Sequence, residues 1–339
     1  VTTTNPIPPV AVYTDVDDTD ITPGITLLEE AGFEVRVLGT REPEAIVSGG
    51  QGAEVLLPGY SEITRDMIER LPSLKLISLM SMGTDNVDVE AATDHGIFVT
   101  NVPGAATEEV ATHALSILLA GLRQLPFYTH SANPLDWNDR APVAPRRLSE
   151  LTLGVLGLGR IGKKLAHMAS PLFAEVIGYD PYLPNTAEVQ SDIERLGIRR
   201  CELADVQTQA DVLCLHLPLS QTTQTMINAD FMARMPEKSF LVNVSRGGLI
   251  DHSALASALE SGHLAGAALD VLDEEPPSGE HPLVGRSEVI ITPHIAYYSD
   301  RTLIDYVRIQ AQNAISFVRT CQPDSPVNAP KPQGFPPHD

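Results

Sequence analysis

LTLGVLGLGRIG, residues 151–162, opens as an apolar run, Leu151 to Leu156, and breaks into three spaced glycines, Gly157, Gly159 and Gly162. The helical pattern KKLAHMASPLF continues from it. A buried strand, a glycine turn and a helix in that order are what a dinucleotide pyrophosphate requires. The first glycine permits the tight turn, the second lets backbone approach phosphate, and the third lets helix pack on strand. The helix N-terminus adds unpaired N–H groups and a positive dipole end. A second apolar run, AEVIGYD, follows and ends at Asp180, placed to bond the hydroxyls of an adenosine ribose.

Outward from this unit, strand candidates continue at 151–156, 174–180, 211–217, 239–244, 265–270 and 288–292, with a weaker one near 197–200. That count suits a Rossmann dinucleotide-binding domain with two mononucleotide halves. Residues 10–100 also alternate: PVAVYT, EVRVL, AEVLLP, LKLISLM and IFVT as strands, with amphipathic helical stretches between them. Such alternation implies a second parallel α/β domain, smaller and flavodoxin-like. After residue 296 one more helical stretch, DRTLIDYVRIQAQNAISFVRT, suggests that the chain returns to the first domain. The expected division is 1–102 with 296–330 as substrate domain and 103–295 as cofactor domain. Crossings at Val102-Pro103 and Ile295-Ala296 are hinge candidates. Residues 331–339 end a proline-rich segment and read as a disordered tail. The polar, proline-rich 127–150 reads as an arm. Thr107 is placed to cap the apolar helical stretch that follows it.

At 339 residues the chain is long enough for two domains with their own cores. A net charge of −21 argues against direct nucleic-acid binding, which needs clustered Lys and Arg. No apolar run is long enough for a membrane span. VTTTNPIPPV has neither the basic nor the apolar region of a secretory signal. Cys201, Cys214 and Cys321 are widely spaced thiols that suit a reducing compartment, and hence the cytoplasm. No metal-ligand spacing is visible, and the acidic loop from Asp15 to Asp20 lacks the glycine and glutamate of a calcium loop.

Three further strand ends carry polar residues. FLVNVSRGGLID places Arg246 after an apolar strand, where a guanidinium can clasp a carboxylate. ALDVLDEEPP places Asp270 at a strand end and Glu275 five residues on, and IITPHIAYYS places His294 after another strand. Taken singly, these read more often as a surface ion-pair arginine, a solvated acidic loop and a structural histidine.

Together, GLGRIG, Asp180, NVSRGGLID, ALDVLDEEP and TPHIA stand in the order and spacing of the D-isomer-specific 2-hydroxyacid dehydrogenases, and the chain resembles that family over nearly its whole length. KLISLMSMGTDNVD and NVPGAATEEVATHA extend the likeness into the first half. TPHIAYYS, YDPYLP, VYTDVDDTD and PDSPVN look most like its C-terminal-binding-protein-like branch. The resemblance implies that Arg246 binds substrate carboxylate, that His294 is the acid/base, and that Glu275 pairs with His294. It implies NAD as cofactor, with contacts from Gly157, Gly159, Arg160, Ile161, Gly162, Asp180, Thr107, Pro218, Val244 and Ser245, and with Asp270 on the nicotinamide carboxamide. Ser81, Met82, Gly83 and Tyr297 are the implied substrate contacts. Ser81 stands where the family has glycine, and His113 reads as structural. The expected activity is reduction of a small 2-oxo acid to its 2-hydroxy acid, by a homodimer. The alternative is an NAD(H)-sensing interaction module with little turnover. Glu275 disfavours the formate dehydrogenases, which resemble the chain in fold but carry Gln there.

Overall fold

The computed structural model describes residues 8–16, 19–130 and 144–330, which form two compact units. The expected tail at 331–339, the middle of the expected arm and two of the loop aspartates, Asp17 and Asp18, lie outside the described residues. One unit runs to Ala106 and resumes at Tyr298; the other is Thr107–Tyr297.

In the first unit, β1 (Val10–Tyr13), α1 (Thr22–Glu30), β2 (Glu34–Val37), α2 (Pro43–Gly49) and β3 (Val55–Leu57) alternate in chain order. They are followed by α3 (Arg65–Glu69), β4 (Leu76–Ser78), α4 (Val89–Asp94) and β5 (Phe98–Thr100). All pairings are parallel, in the order β2-β1-β3-β4-β5. β1, β3 and β4 are buried along their whole length, because helices cover both faces of a sheet built by βαβ crossovers. Thr64 and Asp88 cap α3 and α4 by accepting backbone N–H bonds.

The second unit begins with α5 (Thr107–Leu122) and α6 (Leu125–His130). Thr107 is the first residue of α5 itself, one position inside the expected cap. Then come β6 (Thr152–Leu156), α7 (Arg160–Ala169), β7 (Glu175–Tyr179), α8 (Ala187–Arg195), β8 (Ile198–Arg200), α9 (Leu203–Gln209) and β9 (Val212–Leu215). The second half adds α10 (Ala229–Met232), β10 (Ser239–Asn243), α11 (His252–Glu260), β11 (Leu264–Leu269) and β12 (Val289–Ile291). The seven strands are parallel, in the order β12-β11-β10-β9-β6-β7-β8. The order reverses beside β6, and that reversal opens a crevice at the carboxyl ends of the strands. The core on this sheet includes Leu156, Leu213, Leu215, Leu241 and Leu269, each fully buried.

α12 (Thr302–Thr320) belongs to the first unit. Its buried Gln310 donates to Pro58 O and Ser78 O, and Asn313 donates to Asn101 O, so a polar stripe on the helix ties together the ends of three strands. Among the described residues no helix is long and apolar enough to cross a membrane.

Candidate active site

The glycine turn sits where the sheet reverses. Gly157 adopts φ +94, and a Cβ there would lie 2.3 Å from His216 O, so only glycine fits against the end of β9. At Gly162 a Cβ would lie 2.0 Å from Gly157 O, so α7 packs on the turn without side-chain clearance. A Cβ at Gly159 would meet nothing within 4 Å: the backbone faces open space at the N-terminus of α7, as a pyrophosphate needs. Asp180, just past β7, accepts from Leu158 N–H at 2.9 Å and from Tyr182 N–H at 2.9 Å, which holds its carboxylate beside the turn. These residues fit a dinucleotide, with Arg160 exposed at the head of α7 and Ile161 partly covered.

The remaining candidates follow β10, β11 and β12 in neighbouring positions on the same edge. Asn243, the last residue of β10, donates from its side chain to Arg246 O at 2.8 Å and accepts from Ser245 N–H, which shapes the turn that presents Arg246. Ser245 donates to Leu215 O at 2.8 Å, and Val244 is buried. Gly247 permits close approach, since a Cβ would lie 2.0 Å from Leu272 C and O. Pro218 is exposed beyond β9 and its carbonyl accepts from Thr223 Oγ1.

His294 has φ +52, a left-handed conformation uncommon outside glycine. Asp270, 1 % exposed, holds that turn. Its Oδ1 accepts from Thr292 Oγ1 at 2.5 Å and Ile295 N–H at 3.0 Å, its Oδ2 accepts from Ala296 N–H at 2.9 Å, and its carbonyl accepts from His294 N–H. His113 on α5 reaches Thr292 Oγ1 at 3.0 Å and Asp270 Oδ1 at 3.4 Å. Burial pushes the Asp270 carboxyl up, but the bonds from His113, Thr292 and the two amides outweigh it and leave the group below its ordinary range. The visible work of Asp270 is thus to fix the 292–296 turn. His113, expected to be structural, joins that network.

His294 Nδ1 lies 2.7 Å from Glu275 Oε2, while Glu275 Oε1 accepts from Leu272 N–H at 2.8 Å. Both carboxylate oxygens are therefore held, and the bond to Glu275 raises the His294 pKa against the opposing effect of burial. With Nδ1–H committed to Glu275, Nε2 is the nitrogen left for chemistry. Burial raises Glu275, but the His294 and Leu272 bonds prevail and lower it.

Ser81, Met82 and Gly83 lie in the first unit, after β4. The Ser81 hydroxyl donates to Gly83 O at 2.7 Å, Ser81 O accepts from Val102 N–H, and Met82 O accepts from Asn101 Nδ2 at 2.7 Å. Serine in place of glycine therefore closes this loop on itself. Tyr297, the last residue of the second unit, is partly buried. The sequence reading missed Asn243 and Thr292, whose only signal was a polar residue at each strand end.

Residues 115–296 match the family model described as D-isomer specific 2-hydroxyacid dehydrogenase, NAD binding domain. A D-3-phosphoglycerate dehydrogenase of Methanocaldococcus jannaschii is 39% identical over 271 residues, covering 80% of this chain and 50% of that protein. The chain spans about half the length of the D-3-phosphoglycerate dehydrogenases it matches. A glyoxylate reductase of Aeropyrum pernix is 32% identical over 307 residues, covering 87% of this chain and 90% of that protein. Among solved structures, D-lactate dehydrogenase from Aquifex aeolicus complexed with NAD and lactic acid superposes with a TM-score of 0.84 at 26% identity, covering 95% of this chain and all of that one. With its paired parallel sheets, its glycine turn and these relatives, the chain belongs to the D-isomer specific 2-hydroxyacid dehydrogenase family.

Proposed function

We propose that the protein is an NAD-dependent D-2-hydroxyacid dehydrogenase working as a 2-oxo acid reductase. The observation that carries this is the His294–Glu275 pair at 2.7 Å, on a turn fixed by Asp270, at the sheet edge that also bears Arg246 and the glycine turn. Bound NADH supplies the hydride. Arg246 holds the substrate carboxylate, and His294, whose imidazolium form Glu275 stabilises, delivers a proton from Nε2 to the carbonyl oxygen. In the reverse direction neutral Nε2 accepts the hydroxyl proton. Asp270 bonds the nicotinamide carboxamide in this reading, while its existing bonds keep His294 in place. Ser81, Met82, Gly83 and Tyr297 are proposed as substrate contacts on the family resemblance alone. A panel of 2-oxo acids assayed by NADH oxidation tests the proposal, and no turnover with any of them would overturn it.

The preferred substrate in this reading is unphosphorylated and carries a sizeable apolar side chain. The loop after β3 supports this. Its amides at Gly59, Tyr60 and Ser61 all donate to the buried Asp15 carboxylate, so anion-binding donors there are already used. Arg41 lies over the Tyr60 ring and 3.6 Å from Asp15. Arg146 is tied to Asp211 at 2.6 Å and Arg147 lies 3.6 Å from Glu150.

TPHIAYYS, YDPYLP and PDSPVN support placing the chain in the C-terminal-binding-protein-like branch, with the NAD(H)-sensing role as its companion reading. The paired Glu275 and His294 favour turnover. A peptide pull-down with and without NADH, beside the turnover assay, separates the two. A homodimer is the proposed assembly, and the three free thiols support a cytoplasmic setting.

A further inference from the structure

His252, Asp273 and His281 meet on the second unit, outside every role assigned above. His252 is the first residue of α11, Asp273 follows β11, and His281 precedes Pro282 in the loop toward β12. The two imidazole side chains are 2 % and 4 % exposed, whereas the Asp273 side chain is 52 % exposed and opens the cluster to solvent. Asp273 Oδ1 lies 2.7 Å from His252 Nδ1 and 3.0 Å from His281 Nε2, and the two nitrogens lie 3.2 Å apart.

That last distance carries the argument. Two N–H donors approaching one carboxylate oxygen along its two lone pairs would keep their nitrogens about 5 Å apart. Three atoms facing a common small cation at about 2.0–2.1 Å lie about 2.8–3.4 Å from one another, depending on whether the ion is six- or four-coordinate. The 3.0 and 3.2 Å edges fit the second arrangement, and the 2.7 Å edge needs to open by only a few tenths of an ångström. Two imidazole nitrogens and one carboxylate are a donor set for a first-row transition ion, and the open side at Asp273 leaves room for water as a further ligand.

We propose that His252, Asp273 and His281 form a binding site for a divalent first-row transition-metal ion. Its occupancy would pin the loop carrying Glu275, two residues beyond Asp273, to the head of α11. Two features limit its strength. Leu283 N–H lies 3.3 Å from His281 Nδ1, and metal binding through Nε2 places a proton on that Nδ1 and ends this long contact. His252 Nε2 is buried without a partner among the described residues, so the outer hydrogen bond that usually orients a ligating imidazole is missing. Such outer partners are worth roughly 10–100-fold in affinity, which places the site in the micromolar rather than the nanomolar range.

The test uses the whole chain, stripped with a chelator and titrated with Zn²⁺ against a chromophoric competitor, with thermal unfolding followed in parallel. One Zn²⁺ per chain at micromolar Kd is expected, with a raised Tm, and Co²⁺ should give visible d–d absorption of an imidazole–carboxylate site. His252→Ala and His281→Ala should each weaken binding by roughly tenfold or more, while His167→Ala, on the exposed face of α7, should not. Should the buried substitutions unfold the protein, Asp273→Asn replaces an exposed carboxylate and must still weaken binding. Zn²⁺ affinity and stoichiometry unchanged in folded Asp273→Asn, or no binding by the wild type beyond that of a variant combining His252→Ala with His281→Ala, would overturn the site. It would leave the dehydrogenase reading intact.

Discussion

At the scale of single residues, the proposed proton chemistry rests on one bond. Glu275 occupies His294 Nδ1 and raises the imidazole pKa above its ordinary value. In the proposed mechanism reduction uses the protonated ring, so its kcat/KM should be full below that raised pKa and fall as pH rises through it. Oxidation uses the neutral ring and should fall as pH drops through the same value. Glu275→Gln removes the charge that favours imidazolium, and should move both limbs to lower pH; an unshifted profile would argue against the pairing. His294→Ala should lower turnover about 10²–10⁴-fold, with circular dichroism unchanged because the side chain is exposed rather than core. A second residue-scale prediction concerns Asp180. Its carboxylate would repel a 2′-phosphate, so NADH should be preferred to NADPH. Asp180→Ala should shrink the ratio of the two kcat/KM values by roughly tenfold or more, a modest fraction of the Coulomb term at short range. Comparable values for both cofactors in the wild type would refute this assignment.

Among elements, the β6–α7 turn separates two uses of glycine that the sequence shows only as a spacing. Gly162→Ala drives a methyl to within 2.0 Å of a backbone carbonyl, which cannot rotate away, so overpacking should cost about 1–3 kcal/mol and lower the Tm. Gly159→Ala meets nothing within 4 Å, so the variant should melt like wild type yet bind NADH more weakly, because the methyl stands where phosphate approaches. Thermal melts beside NADH fluorescence titrations check both; equal Tm losses would contradict the distinction. Most of the element pattern was legible, since buried parallel strands are uninterrupted apolar runs and their ends are punctuated by Gly, Pro, Asp or Asn. Even the weak run at 197–200 contains a strand, β8 (Ile198–Arg200), at the edge of the sheet. The supports behind the site were not legible. Asn243 and Arg246 are three residues apart, but His113 and Thr292 are separated by 179, and nothing in periodicity reports such a pairing. His252 and Asp273 are likewise 21 apart on different elements, a spacing no short metal motif covers. Asp270 was visible as a strand-end acid, whereas its load of backbone amides depends on a left-handed residue that sequence does not announce.

For the whole molecule, charge decides what arrives. The chain carries 44 acidic against 23 basic residues, and residues 1–102 hold 17 acids against five bases, Arg36, Arg41, Arg65, Arg70 and Lys75. Arg36, Arg65, Arg70 and Lys75 are paired with carboxylates, and Arg41 lies near Asp15. A field of this sign repels every anion, and it repels a phosphorylated oxo acid more than a simple monocarboxylate. The final prediction combines that field with the proposed substrate contacts Met82 and Tyr297. Across pyruvate, 2-oxobutyrate and longer or aromatic oxo acids, kcat/KM should climb by roughly fourfold per buried methylene, corresponding to about 0.8 kcal/mol. Glyoxylate and 3-phosphohydroxypyruvate should fall below them. Raising ionic strength should improve kcat/KM for the phosphorylated acid more steeply than for pyruvate, because screening relieves the more highly charged substrate most. The similar proteins divide on this point, among D-3-phosphoglycerate dehydrogenases, a glyoxylate reductase and a D-lactate dehydrogenase, so the comparison is a sharp one. If 3-phosphohydroxypyruvate or glyoxylate proves the best substrate, the pocket reading fails, and Arg246, Glu275 and His294 keep their roles. If the apolar series climbs but salt acts equally on all members, the pocket rather than the field sets the preference.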